Sequence, residues 1–184
     1  MISEKDMMLG NSWDWHDVVG WYASSKLWDC RAYWDGKQFW TRGGHIIDAP
    51  DWFKSGLPDC HLDGGVFIPG ELNDRAATDA VNFGRFPATA KFAIYDAPNF
   101  EGNYFRRVLR AQTVVPKKGF VLKNAKFPRI TKITSNRQLA EMVQEILARG
   151  GEGLVLQHPK SGYIRARTSR LLKLKFEIPE YIYA

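Results

Sequence analysis

Lys26-Leu27-Trp28-Asp29-Cys30-Arg31 is the stretch on which the reading of this chain turns. Alone it is a lysine with an arginine five residues on. Its weight comes from the ordered motifs downstream of it: Leu62-Asp63-Gly64, Tyr95-Asp96, Glu152-Gly153-Leu154-Val155 and Lys173-Leu174-Lys175. A deprotonated lysine amine can attack a nucleotide α-phosphate and form a phosphoramidate, and burial beside other cations favours the neutral amine. Arg31 is within reach of a ribose or phosphate from an extended strand. Lys173 and Lys175 alternate with Leu172, Leu174 and Phe176, which in a strand sends both ammonium groups to one face and the apolar groups to the other. Two cations so placed suit a polyphosphate whose charge must be balanced as pyrophosphate leaves. Glu152 directly precedes an apolar strand and can hold a ribose hydroxyl or a magnesium ion. Tyr95 ends another apolar strand, where it either stacks on a purine or fills the core.

Around these positions the sequence predicts short strands over residues 21–47, broken at Asp35-Gly36 and Arg42-Gly43-Gly44. Pro50 opens a short helix carrying Trp52 and Phe53 that stops before Gly56 and Pro58. Strands are expected at His61–Ile68 and Lys91–Tyr95, a polar helical or irregular stretch at 71–84, and an amphipathic segment over Glu101–Val115. The clearest helix starts at Ser135, where Gln138 completes a capping-box pattern. It runs through Leu139, Met142, Val143, Ile146 and Leu147, and Gly150 closes it. Glu152–Leu156 and Leu171–Ile178 read as strands flanking a basic hairpin that holds Arg165, Arg167 and Arg170. The expected fold class is α+β, with mixed, mostly antiparallel sheets flanked by helices, in a single domain over residues 1–184.

With 184 residues, 45% hydrophobic and 25% charged, the chain can bury a full core. A net charge of +6 favours a polyanionic partner. Cys30 and Cys60, with four histidines, make no zinc-ligand spacing and are expected to be reduced thiols. No signal peptide is legible at Met1-Ile2-Ser3-Glu4 and no run approaches the ~20 apolar residues of a membrane span. A soluble, cytoplasmic monomer is expected, in the host cytoplasm if the chain is phage-encoded.

The ladder of motifs resembles that of the covalent nucleotidyltransferases: DNA ligases, RNA ligases and mRNA capping enzymes. The likeness is strongest to bacterial and phage ATP-dependent DNA ligases of the minimal Lig E kind. It is carried by Trp21-Tyr22-Ala23-Ser24-Ser25-Lys26-Leu27, Arg31-Ala32-Tyr33-Trp34-Asp35-Gly36, Thr41-Arg42-Gly43, Ala49-Pro50-Asp51-Trp52-Phe53 and Gly56-Leu57-Pro58. Leu62-Asp63-Gly64, Tyr95-Asp96-Ala97-Pro98, Gly150-Gly151-Glu152-Gly153-Leu154-Val155 and Leu171-Leu172-Lys173-Leu174-Lys175 continue it, so that it spans residues 21–175. The resemblance implies an ATP-grasp-like adenylation domain that uses ATP and Mg2+ and seals nicks in duplex DNA through a lysyl-AMP. Lys26 would be the nucleophile, Arg31 would hold the ribose, and Tyr95 would stack on adenine. Glu152 would bind ribose or metal, Asp63 a metal, and Lys173 and Lys175 the phosphates. Arg42 would contact the DNA backbone. Apart from the resemblance, the basic run Arg165, Arg167 and Arg170 just ahead of Lys173, with Lys117 and Lys118, offers further candidates for DNA contact.

Three departures stand against this pattern. The family reads Lys-x-Asp-Gly-x-Arg, but here Trp28 holds the Asp position and Asp29 the Gly position. A one-residue shift in a strand turns a side chain to the opposite face, so Asp29 serves only if the backbone turns. The family's Asp-Gly-Glu is Asp63-Gly64-Gly65, which lacks a carboxylate. Glu71 lies roughly 20 Å further along a straight strand and returns only through a turn at Pro69-Gly70. Finally, only nine residues come after Lys175, too few for the oligonucleotide-binding (OB) barrel that such ligases carry. A self-sufficient minimal ligase, a fragment and a protein completed by a partner chain all remain open. The rival function is a catalytically degenerate relative that binds DNA nicks or ends. An RNA ligase or capping enzyme ranks after both.

Overall fold

The computed structural model describes residues 2–115 and 122–176. Lys117, Lys118 and the expected strand end at Ile178 lie outside the described residues. A short 3-10 turn at Glu4–Asp6 precedes β1 (Leu9–Ser12), β2 (Tyr22–Lys26), β3 (Asp29–Trp34), β4 (Phe39–Thr41), β5 (Ile46–Ile47) and α1 (Asp51–Lys54). Then come β6 (Leu62–Phe67), α2 (Arg75–Phe83), β7 (Lys91–Asp96) and α3 (Tyr104–Val114). β8 (Ala125–Lys126), β9 (Thr131–Lys132), α4 (Asn136–Ala148), β10 (Gly153–Gln157) and β11 (Arg167–Lys175) complete the described chain.

The strands form two sheets, one in the order β1-β11-β10-β2-β9 and the other in the order β5-β4-β3-β6-β7-β8. All pairings are antiparallel except β1 with β11 and β7 with β8. The expected α+β class with mixed, mostly antiparallel sheets is therefore the observed one. Each sheet has its own core. Leu154, Leu156, Leu172, Ala23 and Ile133 pack with Leu139 of α4 against the first sheet. Phe39, Phe53, Leu62, Val66, Phe92 and Ile94 pack with Ala77, Ala80 and Val81 of α2 against the second. Residues of β6 are buried throughout, as a central strand covered on both faces requires.

Local chemistry sets the element ends. Ser135 caps α4 by accepting from the Gln138 amide at 3.1 Å, but the Gln138 side chain accepts from the Thr134 amide rather than closing a capping box on Ser135. Pro50 stands as N-cap of the one-turn α1.

One expectation is corrected, and one strand appears that the sequence did not announce. The basic segment is not a hairpin, because Arg167 and Arg170 already belong to β11. That strand overshoots β10, whose last partner pair is Gln157 with Leu171, and its other edge pairs in parallel with β1 between Arg167 and Lys173. Strand β1 carries no apolar alternation in Leu9-Gly10-Asn11-Ser12, so periodicity gave no sign of it.

Candidate active site

The first crossing of the chain between the two sheets lies at the point where the chemistry is expected. β2 ends at Lys26, β3 starts at Asp29, and Leu27-Trp28 passes from one sheet to the other. This change of direction resolves the one-residue shift. Asp29 lines the same cavity as Lys26, whereas Trp28 is not among its lining residues and donates its indole N–H to the Gly150 carbonyl at 3.1 Å. The bulky side chain thus anchors the loop behind α4 instead of crowding the site.

The cavity, about 240 Å³, lies between the sheets. Lys26 and Lys173 line it from the first sheet, and Arg31, Asp63 and Tyr95 from the second. Glu152, buried just ahead of β10, binds Lys26 Nζ at 2.6 Å through Oε2 and Lys175 Nζ at 2.8 Å through Oε1. Register explains the meeting, since Gly153 pairs with Lys26 on one side and with Lys175 on the other. Gly153 is indispensable to that closeness. Its φ is +154°, and an added Cβ would collide with the Leu174 carbonyl oxygen. The alternation expected for β11 is observed: Lys173 and Lys175 line the cavity while Leu172 and Leu174 pack in the core.

Lys173 forms no ion pair among the described residues. Burial pushes its ammonium pKa down, and Arg167, Lys26, Lys175 and Arg31 push the same way. Such an uncompensated cation on a cavity wall calls for an anion. Lys175 shifts upward instead, through its hydrogen bond to Glu152.

On the opposite wall Arg31 is fixed by a fork to Asp63, with Nε–Oδ1 at 2.8 Å and Nη2–Oδ2 at 2.6 Å, and Nη2 also donates to the Met8 carbonyl. Burial opposes the Arg31 charge, but the Asp63 carboxylate outweighs it and raises the pKa. Tyr163 donates to Asp63 Oδ2 at 2.6 Å, so both carboxylate oxygens are engaged and Asp63 acts as the anchor of Arg31. Tyr95 reaches the cavity because β7 slips register against β6 between Asp63 and Gly64, leaving Tyr95 as the extra residue of a bulge. Its hydroxyl is buried without a hydrogen bond of regular geometry, close to Asp29. Burial and then the Asp29 charge raise its pKa well above the ordinary value.

The DNA-contact candidates are exposed but separately held. Arg42 forks onto Glu4 at 2.7 and 3.0 Å. Arg165 donates to the Asp6 carbonyl, Arg167 to the Gly10 carbonyl, and Arg170 lies on the His158 ring. Glu71 sits on an exposed turn and does not line the cavity.

Sequence reasoning missed the Asp96–Arg107 pair. Arg107 is 1% exposed and forks onto Asp96 at 2.8 and 2.7 Å. Its Nη1 donates to the carbonyls of Gly102 and Ser161. The one signal for it was a charge among Tyr104, Val108 and Ala111, on the apolar face of α3. Tyr163 carried no signal at all, since its partner is a hundred residues away.

Comparison with known proteins bears on the fold that carries this cavity. A Lig E DNA ligase structure superposes with a TM-score of 0.79 and 26% identity, covering 92% of this chain and 68% of that one. The fold is that of the nucleotidyltransferase domain of ATP-dependent DNA ligases. Chlorella virus DNA ligase-adenylate shares this ligase fold with a TM-score of 0.77 and 19% identity, over 92% of this chain and 68% of the viral one. In sequence, the DNA ligase of Haemophilus influenzae is 29% identical over 177 residues. That match covers 95% of this chain, which spans 65% of the curated relative's length. No protein-family model matches the sequence. Among the described residues no helix is long and apolar enough to cross a membrane.

Proposed function

We propose that this chain performs the nucleotidyl transfer of an ATP-dependent DNA ligase and seals nicks in duplex DNA through a lysyl-AMP. The observation that carries this reading is the Lys26–Glu152–Lys175 contact on a cavity also lined by Arg31 and Lys173. Lys26 Nζ needs a free lone pair to attack, and Glu152 Oε2 is in contact to hold its proton. Attack on the α-phosphorus of ATP forms the P–N bond and breaks the P–O bond to pyrophosphate. Lys173 and Lys175 balance the charge on the departing pyrophosphate. The AMP then passes to the 5′-phosphate of a nick, and the adjacent 3′-hydroxyl displaces it.

The donor set fits a hard divalent cation such as Mg2+. Asp29 supplies a carboxylate on the cavity wall, whereas Glu152 would join it only by giving up its contact with Lys26 or Lys175. Mg2+ is commonly held by one or two carboxylates with substrate phosphates and water completing its shell. Among the described residues no three acidic, histidine or cysteine side chains close into a metal cluster. When bound, the cation would supply charge neutralisation along the triphosphate.

The test is incubation with Mg2+ and ATP labelled at the α-phosphate, beside Lys26→Ala, and then addition of nicked duplex. The reading expects protein-bound label that the variant lacks, and sealing that depends on it. Absence of both label and pre-attached AMP would overturn it in favour of a DNA-binding relative without catalysis. Whether a partner chain contributes an OB function is read by adding one in trans to the same assay.

A further inference from the structure

We infer that Asp29 supplies, from β3, the carboxylate that β6 lacks at Gly65, and that it is a ligand of the divalent cation in the site. This rests on the nucleotidyl-transfer reading above and deepens it.

The observation is steric before it is electrostatic. An added Cβ at Gly65 would collide with Oδ2 of Asp29, and the three atoms nearest to it all belong to the Asp29 side chain. Arg31 pairs with Gly65 across β3 and β6, so Asp29, two residues back on the same face, leans over position 65. The two departures in the motifs are therefore one event. The carboxylate that moved one place along the chain occupies the volume that a side chain at 65 would need.

The surrounding charges leave Asp29 able to bind a cation. Burial works against the Asp29 charge, and the cations that favour it, Lys26 and Arg31, are each also held by another carboxylate: Lys26 by Glu152 at 2.6 Å, and Arg31 by Asp63 in a two-bond fork. Asp29 forms no ion pair among the described residues. A carboxylate on a cavity wall, beside the buried Tyr95 hydroxyl and with its cationic neighbours engaged elsewhere, has oxygen lone pairs free for a hard cation. Asp63, with both oxygens taken by Arg31 and Tyr163, does not.

Two readouts test the proposal. The first needs no ligand: thermal unfolding of Gly65→Glu, Asp29→Gly and the double variant. Gly65→Glu alone lowers the Tm, and Asp29→Gly relieves that loss. Equal loss in both backgrounds would overturn the steric exchange. The second is Mn2+ binding, by electron paramagnetic resonance, in the presence of an ATP analogue that cannot transfer AMP. Asp29→Asn, with its Tm checked, should bind Mn2+ at least about tenfold more weakly. The Asp29→Gly, Gly65→Glu double variant should recover most of that affinity. Wild-type affinity in Asp29→Asn would overturn the ligand role and leave nucleotidyl transfer standing. Wild-type protein that binds neither Mn2+ nor the analogue would overturn both.

Discussion

Glu152 Oε2 lies 2.6 Å from Lys26 Nζ across 126 residues of sequence. The contact joins the end of β2 to the start of β10, and Lys175 on β11 closes it from the other side. Three strands thus share one carboxylate, whose negative charge offsets the repulsion between the two ammonium groups it holds together.

Replacing that carboxylate by an amide keeps the shape and removes the charge. Glu152→Gln should therefore cut formation of the lysyl adduct by about two to four orders of magnitude, as loss of a positioned proton acceptor does. Intact-mass analysis after incubation with ATP and Mg2+ reads the adduct directly. Adduct at the wild-type rate would show that the Lys26 proton leaves by another route.

Lys173 is predicted to trade stability for ligand binding. Burial and four neighbouring cations hold its pKa below the ordinary lysine value of about 10.4. Between the folded pKa and that value the unfolded chain binds more protons, so the Lys173 contribution to stability rises with pH in that window. Lys173→Met should accordingly raise the Tm at neutral pH, with a gain that shrinks as pH approaches 10. The same variant should weaken ATP binding by about 10- to 100-fold, the worth of one charge-assisted hydrogen bond. A Tm gain that is constant with pH would refute the electrostatic origin.

Arg107 should be the costliest single arginine to remove. Its guanidinium is 1% exposed and links Asp96 at the end of β7 to the loop carbonyl of Ser161. Arg107→Met leaves a buried carboxylate uncompensated, worth about 3–5 kcal/mol of stability. Adding Asp96→Asn should return a large part of it. Lysine at 107 cannot reproduce the fork and should rescue poorly. Urea denaturation of the three variants measures these differences, and a loss under 1 kcal/mol in Arg107→Met would rule out a structural pairing.

Legibility in the sequence depends on the range of each signal. Turn dipeptides, the Ser135 cap and strand alternation act over a few residues, and β3, β4, β6, β7 and α4 fall close to where those signals put them. The alternation of Lys173 and Lys175 against leucine also fixes their common face. Strands β1, β8 and β9 are illegible because two to four residues carry no period and form only against a partner already in place. The ordered motifs name the candidate site residues, but not their contacts. That Trp28 turns away while Asp29 turns in depends on the crossing between sheets at Leu27-Trp28, which no local pattern encodes. The motif offers Asp63 as a metal ligand, whereas in the fold its two distant partners, Tyr163 and Arg31, occupy it.

The exposed arginines yield a prediction about salt. Arg165, Arg167 and Arg170 are exposed, and each is held by a carbonyl or by a histidine ring rather than by a carboxylate. Their charge can therefore meet phosphate at little desolvation cost. Arg42 differs, because binding DNA would require it to leave its two-bond fork with Glu4. If all three arginines touch phosphate, converting them to alanine should reduce the magnitude of the slope of log K against log salt by about 2–3 units on nicked duplex. Arg42→Ala should change the slope by less than about one unit, and Glu4→Gln, which frees Arg42, should strengthen binding at low salt. Fluorescence anisotropy across a salt series separates these outcomes. A slope unchanged in the triple variant would move the DNA face away from β11, and a large effect of Arg42→Ala would mean that the Glu4 fork opens on DNA.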